Sequence, residues 1–227
     1  MHVKAPYAKS YPEILFAAVT GPGIALPDQG LATYLYVVYC LPPQVYLGFK
    51  DCIPAVKIAN LEKSLSPQKI PLSLRSTITK TIVLRDEEFL TQCWLGLPWP
   101  IMAMESPVKE IFCQPGDFIN SVRERFINRE TVRNWVKTPV SRSSKPSATT
   151  VMKWIYAHQK LIQGTTVHAL DKKTWGEYAI RLLKDREFAK SEAKTRNQTL
   201  KENEKNICEP LSRIELNDIL VTSRMME

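Results

Sequence analysis

The sequence predicts an α+β fold in which a sheet-rich N-terminal half packs against a helical C-terminal half. Three observations carry this. Of the 16 prolines, 13 precede residue 116. Several N-terminal segments are extended in character, and the clearest alternates its side chains with a period of two, as strands do. Beyond residue 116 apolar residues recur every three or four positions, the spacing of one helix face. The expected division is a strand- and proline-rich region over 1–116 and a helical region over 117–227. An apolar share of 44% suffices for a core.

Glu13 to Thr20 is the first expected strand, and Ala32 to Cys40, rich in tyrosine and valine, the second. Gly21-Pro22-Gly23 and Pro27-Asp28-Gln29-Gly30 supply turn residues between them. Val45 to Phe49 reads as a third strand. Leu74 to Arg85 reads as a fourth, with Ile78, Ile82 and Leu84 on one face and Thr79, Thr81 and Val83 on the other. Trp94 to Pro107, broken by prolines, reads as irregular. Asp117 is positioned to cap a helix carrying Phe118, Val122 and Phe126 on its inner stripe. Thr131 to Lys137 continues that helix or begins another. Val140 to Ala148 reads as an exposed linker. Val151 to Gln163 reads as a helix with Trp154, Ile155, His158 and Ile162 on one side. Asp171 is placed to cap one long helix to about Asn197, with Trp175, Tyr178, Ala179 and Leu182 inward. Lys194 to Glu209 is polar, and Ile214, Leu216, Ile219 and Leu220 make a last apolar element.

The five cysteines are scattered and never form CxxC, which fits thiols in the cytoplasm or another reducing compartment. The uncharged stretch Leu31 to Phe49 has the length of a membrane span, but Pro42 and Pro43 would break a spanning helix. No membrane span is expected. No phosphate-binding glycine loop, metalloprotease helix, serine elbow or kinase signature occurs. His158 on an apolar face reads as a core residue, and Asp86, Glu87 and Glu88 as a turn or helix start. The chain is therefore expected to be non-catalytic, with no cofactor and no metal; an enzyme would need His158 or His168 in a pocket beside a carboxylate or thiol.

Charge is the stronger signal. The net charge is +8, which favours polyanionic partners. Arg123, Arg125, Arg129, Arg133, Lys137, Arg142 and Lys145 face only Glu124 and Glu130 in the same run. Arg125, Arg129 and Arg133 fall every four residues, so one helix would line them up as phosphate-gripping forks. Trp135 beside them is a candidate for stacking on a base. A second group comprises Lys57, Lys63, Lys69, Arg75, Lys80 and Arg85, with Glu62 the only acid inside it, and the two groups could share a face.

Tyr39-Cys40-Leu41-Pro42-Pro43-Gln44-Val45-Tyr46-Leu47-Gly48-Phe49 resembles a motif of the small repeat-associated RNA-binding subunits of CRISPR effector complexes. The likeness extends upstream through Leu15 to Thr33. It implies a ferredoxin-like sheet, a role in holding the end of a guide RNA, and a place in antiviral defence. After Phe49 the chain departs from that pattern: it lacks the glycine-rich loop and ends in a long helical half. The expected function is a non-catalytic nucleic-acid-binding subunit of a ribonucleoprotein, with RNA favoured over DNA and other protein subunits as partners. The alternative is a structural or accessory subunit of a large assembly, such as a viral matrix or capsid protein or part of an organellar complex.

Overall fold

The computed structural model describes residues 13–25, 30–40, 75–105, 109–113, 119–138, 146–163 and 172–225. Their elements are β1 (Glu13–Thr20), α1 (Pro22–Ala25), β2 (Tyr34–Cys40), β3 (Lys80–Arg85), α2 (Asp86–Trp94), α3 (Pro98–Glu105) and β4 (Lys109–Cys113). Then come α4 (Asn120–Phe126), α5 (Arg129–Val136), α6 (Ala148–Gln163), α7 (Lys172–Lys184), α8 (Arg186–Asn203), a 3-10 turn (Glu204–Asn206) and α9 (Arg213–Met225). The architecture is α+β, with all four of the described strands in the N-terminal half.

The strand order is β3-β2-β1-β4. β1 runs antiparallel to both neighbours, whereas β2 and β3 run parallel. A ferredoxin-like sheet is antiparallel throughout, and a third strand separates its first two. Here β1 and β2 are direct neighbours, so this arrangement differs from the one the resemblance implies. The β1–β2 turn depends on two glycines. Gly21 has φ 114°, and a Cβ on Gly23 would lie 2.1 Å from the Leu31 carbonyl oxygen. At the start of β3 a threonine pair clasps the parallel strands. The Thr33 amide donates to Thr79 Oγ1 at 3.0 Å, and that hydroxyl donates back to the Thr33 carbonyl at 2.9 Å.

Alternation along the strands sends side chains to two cores. Leu15, Phe16, Ala18, Tyr36, Val38 and Leu84 join the main core, while Ala17, Val19, Leu35 and Val37 form a smaller one on the other face. Leu15 and Phe16 are adjacent yet share a side because the β1–β2 register slips between Ile14 and Phe16, as at a bulge. Ile82 and Leu84 pack on the main side as expected, but Ile78 packs with Val83 on the other. The strand begins only at Lys80, so the strict alternation does not reach Ile78.

The main core runs without interruption from Leu15 to Leu220. The two halves of the chain therefore share one interior. Val122, Phe126, Trp154 and Leu182 lie in it as expected; Asp117, Phe118 and the Trp175 side chain lie outside the described residues. So do the Val45–Phe49 segment and most of the 140–148 linker.

Two helical expectations change, and one of two open alternatives is decided. The Trp94–Pro107 stretch contains α3 rather than irregular chain. Pro98 and Pro100 sit in its first turn, where helix amides have no partner to lose. The single helix expected after Asp171 is two, because Asp185 breaks it and caps α8, its carboxylate accepting the Phe188 amide at 3.0 Å. The basic segment is also two helices. Asn128 accepts the Thr131 amide at 3.0 Å to start α5, and its amide group donates to the Arg125 carbonyl of α4 at 3.1 Å. No described helix is long and apolar enough to cross a membrane.

Candidate nucleic-acid interface

Although Asn128 divides them between two helices, Arg125, Arg129 and Arg133 still form a row. Each meets a carboxylate from the segment that runs from the end of α8 into the first turn of α9. Arg125 holds Glu215 with two hydrogen bonds, at 2.9 and 3.4 Å. Arg129 pairs with Glu209 at 2.8 Å and donates through Nε to the Glu204 carbonyl at 3.2 Å. Arg133 pairs with the Glu204 carboxylate. As the arginine numbers rise the glutamate numbers fall, so the strap from Glu204 to Glu215 runs antiparallel to the row. Three arginines of the run that looks uncompensated in the sequence are thus answered by acids about 70 to 90 residues away.

The strap is held mainly by its apolar residues. Ile207 and Leu211 within it, and Leu216 and Leu220 just beyond it on α9, are buried, each contributing about 1.5–3 kcal/mol relative to exposure. The backbone amide of Arg129 also donates to the Cys208 carbonyl at 3.0 Å, satisfying a first-turn donor of α5. By contrast the arginine side chains are between 30% and 42% exposed, and pairs that wet contribute only about 0.2–1 kcal/mol each. The ion pairs can therefore exchange partners without releasing the strap.

Glu215 has a second task. Its carboxylate accepts from the Ser212 amide and hydroxyl, both at 2.9 Å, while Ser212 Oγ accepts the Glu215 amide at 3.2 Å. This reciprocal capping box starts α9. The Arg125 guanidinium, aided by Ser212, holds the Glu215 carboxyl down at about 2. Ser212-x-x-Glu215 is a recognisable capping signature, and it was the available sequence signal for this acid. Nothing local marks Glu204 or Glu209.

The other candidate residues are dispersed. Trp135 is 2% exposed and donates through Nε1 to the Gly96 carbonyl at 3.1 Å. Its ring is part of the core and offers no face to a base, contrary to the stacking role expected from its position. Arg123 is half-buried on α4, and Lys137 is exposed at the end of α5. Arg75 and Lys80 are exposed, Lys80 opening β3, the last of the described strands on its side of the sheet. Lys57, Lys63, Lys69, Arg142 and Lys145 lie outside the described residues. His158 stacks on Tyr178 with ring centres 6.1 Å apart, and burial lowers its pKa.

A second surface feature lies at the end of α2. Gly96, at φ 72°, closes the helix in a Schellman motif: its amide bonds the Cys93 carbonyl, and the Leu97 amide bonds that of Gln92. The Trp94 indole donates to the Leu211 carbonyl at 3.1 Å, tying this corner to the strap. The corner is thus fixed from both sides, with Trp94, Leu95 and Leu97 exposed on it. Compared with family models, with curated proteins and with solved structures, the chain matches none of them.

Proposed function

We propose that this protein is a non-catalytic nucleic-acid-binding subunit, RNA being the favoured ligand, that grips phosphates through Arg125, Arg129 and Arg133. One observation supports this reading above the others: three forked donors stand in a row, each partly open to solvent and each already holding an anionic oxygen ligand. A carboxylate and a phosphate offer an arginine the same kind of acceptor pair. Contacts of this kind position a strand and read no sequence. Binding of labelled polyuridylate should weaken steeply with salt as counterions are released. Changing the three arginines to glutamine should lower affinity for every sequence by a similar factor and flatten the salt dependence. Unchanged affinity in the folded variant would reject the site.

The corner at Trp94, Leu95 and Leu97 favours a second reading, that of an accessory subunit docking another protein. Rigid, exposed apolar side chains are characteristic of such contacts. On this reading Leu95→Asp abolishes co-purification of a partner from the native host and leaves polyuridylate binding intact. Retention of the partner by that variant would reject it.

A further inference from the structure

We infer that Glu204, Glu209 and Glu215 are built-in phosphate substitutes: a nucleic acid binds by exchanging with these carboxylates on the arginine row while the strap stays folded. This rests on the nucleic-acid reading above and adds how that site is regulated. The carboxylates occupy the guanidinium forks in register, one per arginine, along a strap that runs the length of the row. The arginines are partly open to solvent and can turn from these carboxylates at little cost, while Glu215 keeps its bonds to Ser212. Ile207, Leu211, Leu216 and Leu220 keep the backbone in place. The row would then bind only ligands carrying several linked phosphates, because a single phosphate displaces one carboxylate and leaves the other two arginines occupied.

The test compares three proteins by fluorescence anisotropy with labelled polyuridylate: wild type, a Glu204→Gln/Glu209→Gln/Glu215→Gln variant, and a Glu177→Gln/Glu187→Gln/Glu202→Gln control. The control removes the same charge from exposed positions off the strap. Freed of its carboxylates, the row should bind about tenfold tighter than in the control, given three weak pairs released. Equal tightening in both variants would mean that net charge alone acts, and would overturn the inference. No tightening in the strap variant, with wild-type binding present, would overturn it while leaving the nucleic-acid reading intact. Absence of binding in all three would overturn both. Should the strap variant not fold, wild type decides the matter through the Glu215 carboxyl, followed by NMR titration. Saturation with polyuridylate should raise its pKa from about 2 as Arg125 leaves, with amide protection in α9 retained. An unmoved titration, or loss of that protection, would overturn the exchange.

Discussion

Arginine occurs here in two opposite settings. Arg125, Arg129 and Arg133 are partly exposed and fully engaged by carboxylates. Arg196, on α8, is 0% exposed, and among the described residues none of its three side-chain nitrogens has a hydrogen-bond acceptor within 3.5 Å. Its guanidinium lies 4.1 Å over the Trp154 ring centre. Desolvation lowers its pKa, opposed by the nearby Tyr178 hydroxyl and Glu192 carboxylate, which bond each other at 2.5 Å. The exposed trio can trade partners cheaply. The buried residue cannot, because removing its packing leaves a hole or a stranded charge. Position in the fold, rather than residue type, decides whether an arginine acts as a handle or as a core side chain.

The largest effect should come from the buried setting. Trp154→Ala removes a core ring and the face against which the guanidinium lies; it should cost about 3–5 kcal/mol in urea unfolding. Arg196→Ala should cost about 2–5 kcal/mol through its cavity. Arg196→Met fills that space without a charge, so it should hold stability within about 1–2 kcal/mol of wild type or raise it. A methionine loss as large as the alanine loss would show that the charge itself is needed. The same variant should raise the His158 pKa, because Arg196 is one of the influences lowering it; proton NMR of the imidazole would report this.

The exposed setting should respond less. Arg125→Gln, Arg129→Gln and Arg133→Gln should each cost about 0.2–1 kcal/mol in the same urea experiment, and less in high salt. A loss of several kcal/mol from any one would place it with Arg196.

Acid should separate two further steps. His158 has a folded pKa below its ordinary 6.5, so the unfolded chain gains a proton first and stability falls as pH drops below 6.5. Glu215, depressed from 4.5 to about 2, contributes stability that is present above 4.5 and lost as pH falls towards 2. Unfolding midpoints across a pH series should show the second decline disappear in Glu215→Gln.

β1, β2, the second half of the Leu74–Arg85 strand and the apolar faces of the helices were legible in the sequence because they rest on local periodicity, whereas β4 was not expected. β1 begins and ends at the expected residues, and Val122, Phe126, Trp154 and Leu182 are buried. The breaks at Asn128 and Asp185 were harder, since one polar residue within a helical pattern caps a new helix only if the chain turns there. α3 was hidden because prolines read as breakers unless they fall in a first turn. The burial of Trp135 and Arg196 was not visible, and neither was the pairing of the basic row. A charge count in a window sees neighbours along the chain, whereas Glu204, Glu209 and Glu215 arrive from a distant strap. Glu215 alone left a trace, in the serine three residues before it.

The parallel pairing of β2 with β3 has a kinetic consequence. A hairpin turn cannot make it, so the chain between Cys40 and Lys80 must return to the end of the sheet where β2 began. β4, the other flank, is more distant still in sequence from its partner β1. Contacts that span such separations form slowly, because loop closure comes before any gain from pairing. During synthesis β1 and β2 emerge first and can pair at once. Until β3 and β4 arrive, that hairpin carries two open edges, the state in which a nascent chain is most prone to pair with another copy of itself.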